Sequence, residues 1–192
     1  MKLTSLSTGL SITLVTLNVS IGSSQAQYTQ TRPNQVRFSC EQLIEPSTGE
    51  RIPMTVAFVP ERQGYVRVIA WKSHIGRIWS PEKRCNIVSG RFQSFFDAGK
   101  LNFLTYGNVQ SPSKNGGTIQ VICAVNQIKS VCDNQNQLFT IKNTEEPDQV
   151  LESLIDTVTG KTTSPIWQSS DKNRYLDVKS YLNQVPLIDI SQ

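Results

Sequence analysis

The sequence predicts an α+β domain: a mainly antiparallel sheet of about six strands, two or three helices packed on one face, and two disulfides. Three observations predict it. Short strand-like runs recur between turn-forming stretches such as EPSTGE (45–50), ERQG (61–64) and SPSKNGG (111–117), which puts successive strands in adjacent hairpins. The apolar pattern switches to helical spacing over residues 80–99 and 145–158. Four cysteines, an even number, sit behind an N-terminus built for export.

After a polar leader at 27–35, VRFSCEQ (36–42) alternates and sets Val36, Phe38 and Cys40 on one side of a first strand. IPMTVAFVP (52–60) is apolar on both faces and bounded by prolines, as a central strand requires. YVRVIAWKS (65–73) returns as its hairpin partner, with Val66, Val68 and Ala70 on one face and Arg67, Ile69 and Trp71 on the other. SHIGR (73–77) turns the chain into a helix. Ser80 is a good N-cap, Pro81 suits the first helical position, and Glu82 favours the positive end of the helix dipole. Cys85, Val88, Phe92, Phe95 and Phe96 then form one apolar face, and Gly99 stops the helix.

KLNFLTYGNV (100–109) and TIQVICAVN (118–126) read as a second hairpin, followed by polar QIKSVCDNQN (127–136) and the short strand QLFTIK (137–142). Residues 145–158 form a helix with acids in its first turn and a stripe of Val150, Leu151, Leu154, Ile155 and Val158. A short strand at IWQSS (166–170) leads through RYLDVKSYLNQ (174–184) into a last helical turn. A single domain is expected over 36–185, with 186–192 as a tail.

Lys2 is the only charge before Arg32, an apolar stretch interrupted by Ser and Thr runs from Leu3 to Ile21, and Ser24-Gln25-Ala26 offers small residues to a signal peptidase. Residues 1–26 are therefore expected to be a cleaved signal peptide. The polar dilution argues against a spanning anchor. Cys40 lies too far beyond the apolar run for a lipoprotein. Cleavage removes one Lys and no acid, leaving 18 Lys/Arg against 15 Asp/Glu and a charge of +3. That charge is unevenly placed: residues 51–100 hold nine Lys/Arg and three acids, and residues 133–160 hold six acids and Lys142 alone. The two stretches either meet in the fold or form solvated faces of opposite sign.

Cys40, Cys85, Cys123 and Cys132 allow three pairings. The spacing of Cys123 and Cys132 suits two ends of a hairpin, which favours that pair and leaves Cys40 with Cys85. No two cysteines have zinc-ligand spacing and His74 is the only imidazole, so neither a metal nor a cofactor is expected.

Several stretches resemble the circadian oscillating protein (COP) domain family of cyanobacteria: RFSCE (37–41), VAFVPERQGYVRVIAWKS (56–73), WSPEKRC (79–85), SGRFQSFFDAGKLNFLTYG (89–107), VICAV (121–125) and NQLFTI (136–141), together with the spacing of the cysteines. The resemblance covers most of residues 36–182. It implies an exported protein peripheral to a membrane, in the periplasm or thylakoid lumen, and assigns no catalytic or binding residues.

Three functions are compatible with these residues. The favoured one is a non-catalytic domain that docks through its basic middle, Arg62, Arg67, Lys72, Arg77, Lys83, Arg84 and Arg91, interleaved with Tyr65, Trp71 and Trp79. Export argues against nucleic acid as the partner and leaves an anionic membrane surface or an envelope protein. The second is a small hydrolase with His74 as base and Ser73 or Glu61 nearby, although no Gly-x-Ser-x-Gly elbow is present. The third is an inhibitor or chaperone-like module using an exposed sheet edge. The acid pairs Glu145-Glu146 and Glu152/Asp156 suit a helix start and an exposed face. Asp133-Asn134-Gln135-Asn136 lacks the glycine and charge of a calcium loop.

Overall fold

The computed structural model describes residues 34–112, 116–142, 145–159, 167–170 and 173–190. The expected signal peptide, most of the leader and the tip of the 111–117 loop lie outside them, as do the side chains of Leu154, Ile155 and Val158. The elements run β1 (Arg37–Ile44), β2 (Arg51–Val59), a 3-10 turn (Pro60–Arg62), β3 (Gly64–Ala70), α1 (Pro81–Asp97), β4 (Phe103–Gln110), β5 (Thr118–Val125), β6 (Gln137–Thr140), α2 (Pro147–Thr159), β7 (Trp167–Ser170), β8 (Asn173–Asp177), α3 (Val178–Gln184) and β9 (Leu187–Ile188).

The α+β class, the antiparallel pairing and both disulfides hold. The strands divide between two sheets, however, rather than forming one of about six: β1-β2-β3-β9 and β6-β5-β4-β8-β7. Local hairpins β1–β2, β2–β3, β4–β5 and β7–β8 follow the turns in the sequence. The pairings β4–β8 and β3–β9 join distant segments, which turn chemistry does not encode. The expected tail thus supplies a strand, Tyr65 pairing Ile188 and Val66 pairing Leu187.

The main core takes side chains from both sheets and all three helices, among them Phe38, Ala57, Val66, Phe92, Leu104, Ile122, Leu151 and Tyr181. A second cluster of Leu43, Met54 and Val56 fills the other face of the first sheet, with Ile188 and Ile190 packed against it. β2 is therefore buried on both faces from Met54 to Val59, as its sequence required. In β3 a register shift opposite Thr55/Val56 inserts an extra residue. The bulge reverses the faces beyond it, so Val66 and Val68 share the main core with Ile69 and Trp71, and Ala70 turns to the second cluster.

Helix α1 begins where the sequence places it: Ser80 Oγ accepts from the Lys83 backbone N–H, and Pro81 follows the cap. It ends in a Schellman arrangement, Lys100 N–H donating to Phe95 O and Gly99 N–H to Phe96 O, with Gly99 at φ +65°. Cys85, Val88 and Phe92 are buried, and Phe95 and Phe96 pack on the same core. Ser89 is buried as well. Its hydroxyl lies 3.0 Å from Thr55 Oγ1, which accepts from Trp71 Nε1 at 3.0 Å, so a polar chain links α1, β2 and the end of β3 inside the core. An unpaired buried donor costs roughly 1–3 kcal/mol, and this chain avoids that cost.

The disulfides are Cys40–Cys85 and Cys123–Cys132. The second lies against β4 at Gly107, where an added Cβ would come within 2.9 Å of Cys132 Cβ. Chain entropy predicts that the 45-residue separation of the first makes it worth about 4 kcal/mol, and the 9-residue separation of the second about 2.5 kcal/mol. Urea unfolding of the two double Cys→Ser variants is expected to show the larger loss when Cys40 and Cys85 are replaced. A larger loss from replacing Cys123 and Cys132 would contradict this account.

Candidate functional site

Two concave features flank Arg84, near the N-terminus of α1. The first is a cleft of about 440 Å³ between the end of β3 and the entry to α2. Trp71 and Phe139 contribute to its lining, their ring centroids 5.5 Å apart in an edge-to-face arrangement. Arg67, Lys72 and Arg84 meet Glu145 and Glu146 there, so part of the basic middle does face the acidic stretch. The second is a groove of about 310 Å³ lined by Ile75, Trp79, Ile87, Val88, Ile119 and Phe139, with Arg84 and Arg91 as its cations.

Arg84 belongs to both. Its guanidinium stacks over Trp71, Cζ lying 4.6 Å from the ring centroid, and donates to Ser73 O at 3.3 Å. Burial pushes its pKa below the usual arginine value, and the Glu145 carboxylate acts in the opposite direction. It remains a cation held on an aromatic plate.

Beside the groove, Ile75 and Trp79 bridge across a tight turn, Ile75 N–H donating to Trp79 O at 3.0 Å. Gly76 takes φ +59°, the left-handed conformation that suits glycine. The turn lifts Ile78 and Trp79 into solvent, 69% and 37% exposed. Arg77 is exposed in the same turn, and Lys83 Nζ sits 4.9 Å from the Trp79 ring centroid. Ile78 was not among the residues singled out from sequence. Its position two residues after Gly76, beside a tryptophan, was the available signal.

Three of the other cations have internal tasks. Arg62 donates to the carbonyls of Leu182 and Val185, closing the C-terminal end of α3. Arg91 donates to Leu138 O at 2.8 Å, tying α1 to β6. Lys72 pairs with Glu45 at 2.8 Å. The backbone carbonyl of Arg67 accepts from Tyr181 Oη at 2.9 Å, while burial raises the phenol's pKa well above its ordinary value.

His74 is exposed beside the turn. Ser73 Oγ accepts from Lys142 Nζ at 2.7 Å, so the hydroxyl next to the imidazole is held by an ammonium. Asp133 Oδ1 accepts from the backbone N–H groups of Gln135 and Asn136, which commits that carboxylate to its own turn. Among the described residues no three His, Cys, Asp or Glu side chains converge as metal ligands.

The family model of circadian oscillating protein COP23 matches residues 37–183, which span β1 through most of α3. The chain belongs to this family. No curated protein and no solved structure is significantly similar to it. The COP23 match takes in both disulfides, the 75–79 turn and every side chain of the two concave features.

Lys72 holds the Glu45 carboxyl below its ordinary value of 4.5 through their hydrogen bond, against the burial that pushes it up. A depressed carboxylate stabilises the fold above its unfolded pKa, and that contribution is lost as pH falls through the lower folded value. Lys72→Met is therefore expected to destabilise the COP23 domain at neutral pH. Its deficit against the native chain should shrink as pH drops below 4.5, measured by urea unfolding at stepped pH.

Proposed function

We propose that the protein is an exported, non-catalytic, disulfide-bonded domain that docks on an anionic membrane surface, in the periplasm or thylakoid lumen, through its 75–79 turn. The carrying observation is the exposure of Ile78 and Trp79 at a glycine-tipped turn beside Arg77 and Lys83. An apolar tip flanked by cations complements a bilayer interface: the tip enters the headgroup region and the cations meet lipid phosphates. Each well-placed cation contributes about 1 kcal/mol at such a surface. Full burial of an isoleucine side chain adds roughly 1.5–3 kcal/mol. Attachment of this kind is reversible and salt-sensitive.

Two other features support the placement. Two disulfides suit an oxidising compartment. No helix of the described residues is long and apolar enough to cross a membrane, so these residues offer no spanning helix as an alternative attachment. A second reading, an envelope protein as the partner, is favoured by the apolar groove below Trp79, which would accept a partner's side chain.

Co-sedimentation of the oxidised protein with phosphatidylglycerol-rich vesicles tests the lipid reading. Binding is expected at low salt and release near 1 M salt, where the Debye length falls to about 3 Å. Ile78→Ser combined with Lys83→Glu is expected to lower the bound fraction severalfold. Arg62 is unsuitable for this test because its replacement would free two α3 carbonyls. Unchanged pelleting of the double variant, or equal binding to phosphatidylcholine vesicles, would overturn the proposal.

A further inference from the structure

The 440 Å³ cleft has walls of opposite sign. Arg67 and Lys72, at the end of β3, and Arg84 from α1 form the cationic side; Glu145 and Glu146, exposed at the entry to α2, form the anionic side. Among the described residues no ion pair within 4.0 Å crosses the cleft, although the Glu145 carboxylate acts on Arg84 through space and Lys72 is paired with Glu45. Arg67 Nε is buried with no hydrogen-bond partner, a donor whose desolvation goes uncompensated. Arg84 uses one donor on Ser73 O, and a guanidinium carries five.

We infer that this cleft binds a small zwitterion of the amino-acid or short-peptide class, its carboxylate on Arg67 and Arg84 and its ammonium against Glu145 and Glu146. The planar guanidinium fork matches the two oxygens of a carboxylate. A simple anion would meet the glutamates, and a simple cation would meet the arginines. Only a ligand with separated charges satisfies both walls. The volume lies within the usual range of small-ligand pockets. The inference rests on this cleft alone and is independent of membrane docking.

The test is an NMR titration of the oxidised protein, following the Trp71 indole N–H, with alanyl-alanine, its C-terminal amide and its N-acetyl derivative. The dipeptide is expected to shift the resonance saturably, and each blocked form to bind about tenfold more weakly, the equivalent of one lost charge-assisted contact. Arg67→Met should weaken the dipeptide to a similar degree. Glu145→Gln, at an exposed position that leaves folding intact, should weaken the dipeptide while leaving the N-acetyl form unaffected. Absence of a saturable shift with the dipeptide, or equal affinity for all three peptides, would overturn the assignment. So would an N-acetyl form that binds as tightly as the dipeptide, which would make the cleft a simple anion site.

Discussion

The Cys40–Cys85 bond fixes the first turn of α1 to the edge strand β1, and the rest of the molecule is arranged around that clamp. The helix it holds touches both sheets: its flank reaches Thr55 through Ser89, and Arg91 reaches Leu138 O in β6. Trp71 closes the same junction from β3 by donating to Thr55. A helix pinned covalently at one end and by buried polar contacts along its length has little freedom to tilt. Its Ser80-capped start, and the 75–79 turn that leads into it, therefore stand at a defined height above the surface. The proposed interfacial docking would benefit from that rigidity, because ordering the tip would cost little on contact.

Net charge is a poor guide to which of this protein's cations face outward. Its cations divide by task. Arg62 and Arg91 serve backbone carbonyls, Lys72 neutralises a buried glutamate, and Arg84 rests on a tryptophan. Arg77 and Lys83 remain exposed beside Ile78 and Trp79, where two large apolar side chains protrude together. The acids are divided in the same way: Glu152 pairs with Arg174, whereas Glu145 and Glu146 face the cleft.

Much of this was legible in the residues because it is local. The Ser80-Pro81 start and Gly99 stop of α1, the doubly buried β2, and the nine-residue cysteine spacing each follow from short-range chemistry. What escaped was non-local or irregular. The β3 bulge exchanged the faces of Ile69 and Ala70, because a single extra residue shifts a two-residue period without leaving a mark in composition. β9 owes its existence to β3, two-thirds of the chain away, and Leu187-Ile188 alone is too short to declare a strand. The cleft was illegible for the same reason: Arg67 and Glu145 share a cavity only because α2 packs beside β3. The basic middle was visible from sequence, but its division into internal and outward-facing cations required the carbonyl positions of α3 and β6.

The central question is whether the clamped turn is what enters the interface. Quenching of tryptophan fluorescence by brominated lipid in anionic vesicles measures this directly in a Trp167→Phe background, where the two remaining tryptophans are exposed Trp79 and buried Trp71. Quenching is predicted for that single-site background, lost when Trp79→Phe is added, and reduced severalfold in a folded variant with Cys40 and Cys85 both replaced by serine. Quenching that survives in Trp79→Phe, or that is indifferent to the loss of the disulfide, would contradict this account.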